Sequence, residues 1–321
     1  AVRSRVGFFD DTSASFFGVS HDPSDESAKR VADRYPGYRY FWDFDGTAGR
    51  LYGALPREAS SGNVAVRRRW IILDPTLRVL KVIPFADDRA DIPALLAYVD
   101  TLPPVERCAG FELHAPILVL PNVFDPALCA KLIKLYEADG GEESGFMREV
   151  NGQTVRIQDP KHKRRRDYTI EDPAVIEETR IPIGRRVAPM IERAHQFKVT
   201  RMERHIVACY SVEDEGHFRA HRDNTTKGTA HRRFAVSVNL NDDFDGGEVS
   251  FPEFGPRGFK APAGGAVVFS CSLLHAVSKV TRGRRYAFLP FLYDDEAARV
   301  REANIAFLED GKASYKSGLA Q

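Results

Sequence analysis

The stretch Gly216-His217-Phe218-Arg219-Ala220-His221-Arg222-Asp223-Asn224 constrains this chain more than any other. Residues two apart on a strand project to the same face, so His221 and Asp223 can present an imidazole and a carboxylate to one point. A second imidazole from another strand would complete a triangle. His275, at the end of the apolar run Ala266-Val267-Val268-Phe269-Ser270, is the best candidate. Two His and one carboxylate on one face of an octahedral ion leave positions open, which suits a non-haem Fe(II) that also binds O2 and a co-substrate. His217 and His231 compete for the role. His217 shares the strand face of His221 but lies about 13 Å along it, and His231 reads as a loop residue. Alone, the His-x-Asp pair is weak, because nine His in 321 residues make a chance match easy.

Its neighbours sharpen the reading. After the pair come Phe234-Ala235-Val236-Ser237-Val238-Asn239-Leu240-Asn241, then Gly246-Gly247-Glu248, Gly264-Gly265, His275 and Arg284-Arg285-Tyr286. This order resembles the catalytic domain of 2-oxoglutarate and Fe(II)-dependent prolyl hydroxylases. Val207-Ala208-Cys209-Tyr210 with Arg219-Ala220-His221-Arg222-Asp223-Asn224 is most similar to the hypoxia-inducible-factor prolyl hydroxylases and their bacterial relatives. The resemblance spans roughly residues 115–300. It implies a double-stranded β-helix (jelly roll) with supporting helices, and Fe(II) held by His221, Asp223 and His275. It also implies 2-oxoglutarate as co-substrate and ascorbate as reductant. In that family a basic residue at the place of Arg285 grips the distal carboxylate of 2-oxoglutarate, a task suited to the planar fork of a guanidinium. Arg284 is the rival. Tyr210 stands where the related enzymes use a Tyr hydroxyl on the co-substrate, and Asn239 stands where they carry a second such Tyr. The implied reaction is hydroxylation of an unactivated C–H bond, most readily a prolyl residue in a protein, with succinate and CO2 as co-products.

A chain of this length predicts two domains, here 1–106 and 107–321, giving an α+β two-domain protein. The boundary should fall between Pro104 and Phe111. In the first part, a strand over Ala14–Ser20, a helix over Glu26 to Tyr35, paired strands at Arg69–Leu73 and Val79–Ile83 and a helix from Asp91 alternate. Phe17-Gly18-Val19-Ser20, Trp42-Asp43, Leu51-Tyr52-Gly53 and Ile71-Ile72-Leu73-Asp74 resemble the later part of a peroxiredoxin or thioredoxin-like domain. The family's peroxidatic Cys would stand upstream, and no Cys precedes Cys108, so this incomplete domain is expected to serve docking rather than thiol chemistry. In the second part, Asp125-Pro126 opens a helix ended by Gly140-Gly141, and Asn151-Gly152 marks a hairpin. Ile183 to Phe197 gives a helix that Pro189 should bend or whose start it should shift, and Tyr286 to Tyr293 reads as one central strand burdened by Pro290.

Net charge of +1 argues against a dedicated nucleic-acid binder. No apolar run is long enough for a membrane span and no signal peptide is evident, so a cytoplasmic protein is expected. The chain starts at Ala1 rather than Met, so the natural sequence can begin earlier. Cys108, Cys129, Cys209 and Cys271 are widely spaced, and the last three sit in apolar contexts as buried free thiols. The dense basic run Lys161-His162-Lys163-Arg164-Arg165-Arg166 reads either as a solvated loop or as a mobile loop that clamps a protein or peptide substrate. A metal-containing interaction module with a redoxin-like recruiting half, or a hydroxylase of a free amino acid or other small molecule, are the alternatives. Oligomeric state is not legible.

Overall fold

The structure, a computed structural model, describes residues 5, 7–11, 13–58, 64–75, 77–107 and 113–308. These divide into two compact units, one up to His114 with Glu253–Pro256, the other comprising Ala115–Pro252 and the residues from Arg257 onward. Cys108 and most of the segment expected to hold the boundary lie outside the described residues.

In the first unit, strand β1 (Phe16–Ser20) precedes helix α1 (Pro23–Ser27) and runs parallel to β2 (Tyr38–Trp42). Helix α2 (Thr47–Leu51) follows, then the antiparallel pair β3 (Arg69–Leu73) and β4 (Val79–Pro84), then α3 (Asp91–Val99). Trp70 ties the hairpin to α3 by donating from Nε1 to Asp91 at 2.6 Å. The helix expected over Glu26 to Tyr35 is a correction: it stops at Ser27. None of the residues of α1 is buried, so nothing beyond its own turn supports extension, and Asp33 instead accepts the Tyr40 backbone N–H at 2.9 Å.

The second unit opens with β5 (Leu118–Leu120) and α4 (Pro126–Asp139). Asp125 caps α4 by accepting from the Leu128 N–H at 2.8 Å, and Gly140 ends it at φ 85°, a conformation that favours glycine. After β6 (Glu142–Glu143) comes the hairpin β7 (Phe146–Val150) and β8 (Gln153–Ile157), whose turn residues Asn151 and Gly152 take φ 51° and 76°, as a tight two-residue turn requires. Next are β9 (Lys163–Arg164), β10 (Arg166–Thr169), α5 (Pro173–Pro182) and α6 (Ala188–His195). The helix expected from Ile183 instead starts at Ala188, the shifted start that Pro189 allowed for, and one wide π turn at Ile183–Val187 joins it to α5. Pro189 cannot donate to the turn before it, and a wide turn absorbs that missing bond.

The strands that follow are β11 (Arg201–Glu203), β12 (Ile206–Ser211), β13 (His217–His221), β14 (Phe234–Asn239), β15 (Asp245–Gly246), β16 (Val249–Ser250) and β17 (Gly258–Phe259). The chain then forms β18 (Ala266–Ser270), β19 (His275–Val277), β20 (Val280–Arg282), β21 (Arg284–Phe288), β22 (Phe291–Tyr293) and α7 (Asp295–Ala303). The expected single strand over Tyr286 to Tyr293 is broken at Leu289-Pro290, and both halves still pair with β14. Pro290 lacks an N–H, but its carbonyl accepts from Val236 at 3.1 Å, so the ladder resumes beyond it.

A nine-stranded sheet (β11-β22-β14-β21-β12-β10-β6, with β18 beside β14 and β5 beside β18) faces a five-stranded one (β17-β16-β19-β13-β9). Period-two alternation explains how the large sheet serves two cores. Ile206, Ala208 and Tyr210 of β12 turn toward Phe218 and Val277 of the small sheet. Val207 and Cys209 turn the other way, into a core with Leu132, Val175, Ile183, Val187 and Ile191 of the helices. The β-rich unit therefore has a jelly-roll architecture of two packed antiparallel sheets, with helices covering the outer face of the larger. Cys129, Cys209 and Cys271 are buried and free, and burial pushes the Cys129 and Cys209 thiols up to about 11.

On β11, Glu203 is 4% exposed and accepts from His231 Nε2 and Arg232 Nε, each at 2.9 Å, with Arg301 Nη1 at 3.5 Å. Burial opposes its ionisation, but the Arg232 charge and the His231 hydrogen bond more than compensate and hold the carboxyl below its ordinary range. A depressed carboxyl pKa adds stability that is present above the unfolded value near 4.3 and is lost as pH falls through the folded value. Glu203→Gln should cost on the order of 3–5 kcal/mol at pH 7, as breaking a buried charge pair does. Urea unfolding at pH 7 and at pH 3.5 checks this, with the gap between wild type and variant narrowing at the lower pH.

Candidate metal and co-substrate site

His221 ends β13 and His275 begins β19, and the two face each other in the antiparallel register. A bulge between Phe218 and His221 makes this possible, since three steps on β13 span only two on β19 and the His221 ring is re-aimed toward the space between the sheets. Asp223 follows just beyond the strand, its N–H donated to the Cys271 carbonyl at 3.0 Å. One ligand atom from each of the three lies within 4.8 Å of the others. His221 Nε2 is 3.6 Å from Asp223 Oδ1, and His275 Nε2 is 3.4 Å from Oδ2.

Both imidazoles are oriented by backbone. His221 Nδ1 meets the Arg219 carbonyl at 2.7 Å and His275 Nδ1 meets the Leu273 carbonyl at 3.0 Å. A carbonyl can only accept, so each Nδ1 carries a proton, which in a neutral ring leaves the Nε2 lone pair toward the centre. Burial pushes the His275 imidazole down to about 4, which keeps it neutral at pH 7. Burial works against the Asp223 carboxylate, yet the two imidazoles keep its pKa below the ordinary range. One neutral imidazole of known orientation and one carboxylate beside a second imidazole form a donor set that fits a divalent cation. The walls are aromatic: Phe218 stacks on His221 with ring centroids 3.5 Å apart, and Phe269 lies 4.5 Å from His275.

The rival imidazoles stand elsewhere. His217 Nδ1 and Nε2 lie 2.7 Å and 3.4 Å from the carbonyls of Glu215 and Lys161. His231 does lie in a turn, but it is buried and bound to Glu203.

Arg285 of β21 sits opposite Tyr210 of β12, and the two side chains share the inner face. Arg285 is 2% exposed; Nε donates to Asn239 Oδ1 at 3.0 Å and Nη2 to Ser237 Oγ at 2.6 Å. Nη1 is buried without a partner, and no carboxylate hydrogen-bonds the guanidinium among the described residues. Burial, with the nearby Arg165 charge, pulls the Arg285 pKa down from its ordinary value. A buried guanidinium with an orphaned N–H is costly unless an anion joins it, so the pocket fits a carboxylate ligand. Arg284 points outward, half exposed, toward Glu213 and Glu137. Asn239 spends both ends of its amide on the protein, accepting from Arg285 and donating from Nδ2 to the Ala261 carbonyl at 2.7 Å.

The basic run requires correction. It is not a mobile or wholly solvated loop: Lys163–Arg164 and Arg166–Thr169 are strands, and Lys163 and Arg165 are buried. Lys163 Nζ donates to Ser144 Oγ at 2.7 Å and the Gly145 carbonyl at 2.5 Å, and burial lowers its pKa well below the ordinary value. Arg165 forms a bidentate pair with Asp167, Nε at 2.6 Å and Nη2 at 2.7 Å, and Nη1 donates to Tyr210 Oη at 3.2 Å. Lys161 and Arg164 face a groove of about 410 Å³ that Arg219, Lys279 and Glu215 also border. Arg165 is the site residue that sequence reading missed; the alternation of Lys163 and Arg165 with Arg164 and Arg166 was the available signal.

Comparison with known proteins agrees with this chemistry. A profile of the 2OG-Fe(II) oxygenase superfamily matches residues 185–293. A PKHD-type hydroxylase of Paracoccus denitrificans is 32% identical over 165 residues, covering 46% of this chain and 70% of the relative. One from Paraburkholderia phymatum is 30% identical over 182 residues, covering 53% of this chain and 75% of the relative. Among solved structures, a Trichoplax adhaerens prolyl hydroxylase in complex with a hypoxia inducible factor peptide fragment superposes with a TM-score of 0.46 at 15% identity, over 59% of this chain and 86% of its own. With two relatives at 30% identity or better matched over more than two thirds of their length, the chain belongs to the 2OG-Fe(II) oxygenase superfamily and is an Fe(II)- and 2-oxoglutarate-dependent dioxygenase.

Proposed function

We propose that this enzyme hydroxylates an unactivated C–H bond of a prolyl residue in a protein or peptide, with 2-oxoglutarate converted to succinate and CO2. The observation that carries the reading is the pairing of a three-ligand cluster with a buried, unpartnered Arg285 Nη1 in one jelly roll. His221 and His275 would hold Fe(II) through Nε2 and Asp223 through a carboxylate oxygen. With O2 and 2-oxoglutarate, the bound iron supplies the oxidising power, and ascorbate would return it to the ferrous state. Arg285 anchors one carboxylate of 2-oxoglutarate, Tyr210 offers its hydroxyl beside it, and Asn239 with Ser237 holds the guanidinium in position. Phe218, Phe269 and Phe251 exclude water from the ligand cluster. The unit up to His114, with its parallel strand pair, following hairpin and no Cys before Cys108, we read as a redoxin-like docking module.

A protein substrate is favoured over a free amino acid by the groove on the outer face of β9, β13 and β19, the small sheet that carries both His ligands. Its four cations and one carboxylate contrast with a net charge of +1 for the whole chain. Incubation with Fe(II), ascorbate and 2-oxoglutarate should yield succinate together with a protein or peptide that gains one oxygen on proline, detected by mass spectrometry. Succinate matched only by hydroxylated free amino acids would sink the protein-substrate reading. Replacing Lys161, Arg164 and Lys279 with Ser should lower protein hydroxylation several-fold at low salt and by little at high salt, because screening weakens exposed charges.

A further inference from the structure

We propose that Arg165 is a positioning residue that makes the Tyr210 hydroxyl an obligate hydrogen-bond donor toward the carboxylate held by Arg285. This rests on the reading of Arg285 and Tyr210 as the 2-oxoglutarate anchor. A phenol hydroxyl has one hydrogen to give and can accept from either side. Arg165 Nη1 occupies an accepting position at 3.2 Å, and a guanidinium cannot accept in return. The Tyr210 hydrogen must therefore point elsewhere. Tyr210 is 1% exposed, and no acceptor for that hydrogen is present among the described residues. Two buried donors are thus left over in one place, the Tyr210 O–H and Arg285 Nη1–H, with the Arg285 guanidinium carbon 5.3 Å from the Tyr210 ring centre. A group that satisfies both must accept from both, and a carboxylate does so while also neutralising Arg285.

Arg165 is suited to this task because its own charge is already met. Its bidentate bond to Asp167 fixes the guanidinium plane, so it does not compete with Arg285 for the ligand's charge. Ser144 completes the frame, accepting from Arg165 Nη2 at 3.2 Å and donating to Asp167 at 2.5 Å. Without Arg165, the phenol could turn its hydrogen or its lone pairs to the ligand, and the preference for a pure acceptor would relax.

The test is a double-mutant cycle on the full chain loaded with Mn(II), with 2-oxoglutarate affinity read by calorimetry. Tyr210→Phe should weaken 2-oxoglutarate about tenfold to a hundredfold, the range for a hydrogen bond to a charged group. Arg165→Met should weaken it by a similar factor, and the two together should lose little more than either one. Because Arg165→Met leaves Asp167 with Arg204 as its one ion pair among the described residues, Arg165→Met with Asp167→Asn serves as the second variant if the first unfolds, and it should show the same affinity loss. Losses that add, or unchanged affinity in both Arg165 variants while Tyr210→Phe loses it, would overturn the role of Arg165. Unchanged affinity in Tyr210→Phe would instead remove Tyr210 from the co-substrate site, and the inference with it.

Discussion

Asp223→Ala, His221→Ala and His275→Gln should each cost well over 100-fold in Fe(II) affinity and abolish turnover, since even changes outside the ligand set of a metal site cost about 10–100-fold. The three are not equivalent in how they fail. Asp223 is the sole carboxylate in the cluster, so its loss leaves two imidazoles and no negative charge to offset the cation. Substitution of His221 or His275 removes a nitrogen whose ring is oriented by a carbonyl contact. Gln is the better test at position 275, because His275 is buried against Phe269 and truncation there would open a cavity. His217→Ala and His231→Ala should retain iron, the second at some cost in stability through Glu203. Metal content after dialysis against Fe(II), with a melting curve for each variant, separates ligand loss from unfolding. A folded variant that keeps its iron would strike that residue from the set.

Part of what the sequence made legible followed from periodicity. The two-residue spacing could put His221 and Asp223 on one strand face, but singling them out together with His275 rested on the resemblance carried by the neighbouring motifs, since the pair alone is a weak signal. The inward turn of Arg285 and outward turn of Arg284 follow from the same parity. The bulge between Phe218 and His221 was not visible, because nothing local distinguishes it; it depends on what β19 offers across the ladder. The basic run was misread for a related reason. Counting its charges suggested solvent, whereas its alternation buries Lys163 and Arg165; Asp167, which pairs with Arg165, directly follows the run, but the other partners that make burial tolerable, Ser144 and Tyr210, stand far from it in sequence. In the first unit, helical propensity over Glu26 to Tyr35 lost to the absence of a packing partner.

Arg285→Ala should weaken 2-oxoglutarate binding by about 2–5 kcal/mol, the cost of truncating one side of a buried charge pair. The physical basis is visible without the ligand: the guanidinium is 2% exposed, two of its nitrogens are held by Asn239 and Ser237, and Nη1 has no partner. Among the described residues no carboxylate hydrogen-bonds this buried positive charge, which an anionic ligand would compensate. Arg285→Lys should recover part of the loss, since the charge is kept but the fork that can grip both carboxylate oxygens is not. Arg284→Ala, half exposed and facing Glu213 and Glu137, should change affinity by less than about 1 kcal/mol, as surface ion pairs do. Removal of the charge should also relieve the burial cost, so Arg285→Ala without ligand should melt no earlier than wild type, whereas saturating 2-oxoglutarate should raise the melting temperature of wild type and not of the variant. Calorimetry on the Mn(II)-loaded protein gives the affinities. If Arg284→Ala lost more affinity than Arg285→Ala, the anchor would move by one residue to the outer face of β21, and the orphaned Nη1 would need another explanation.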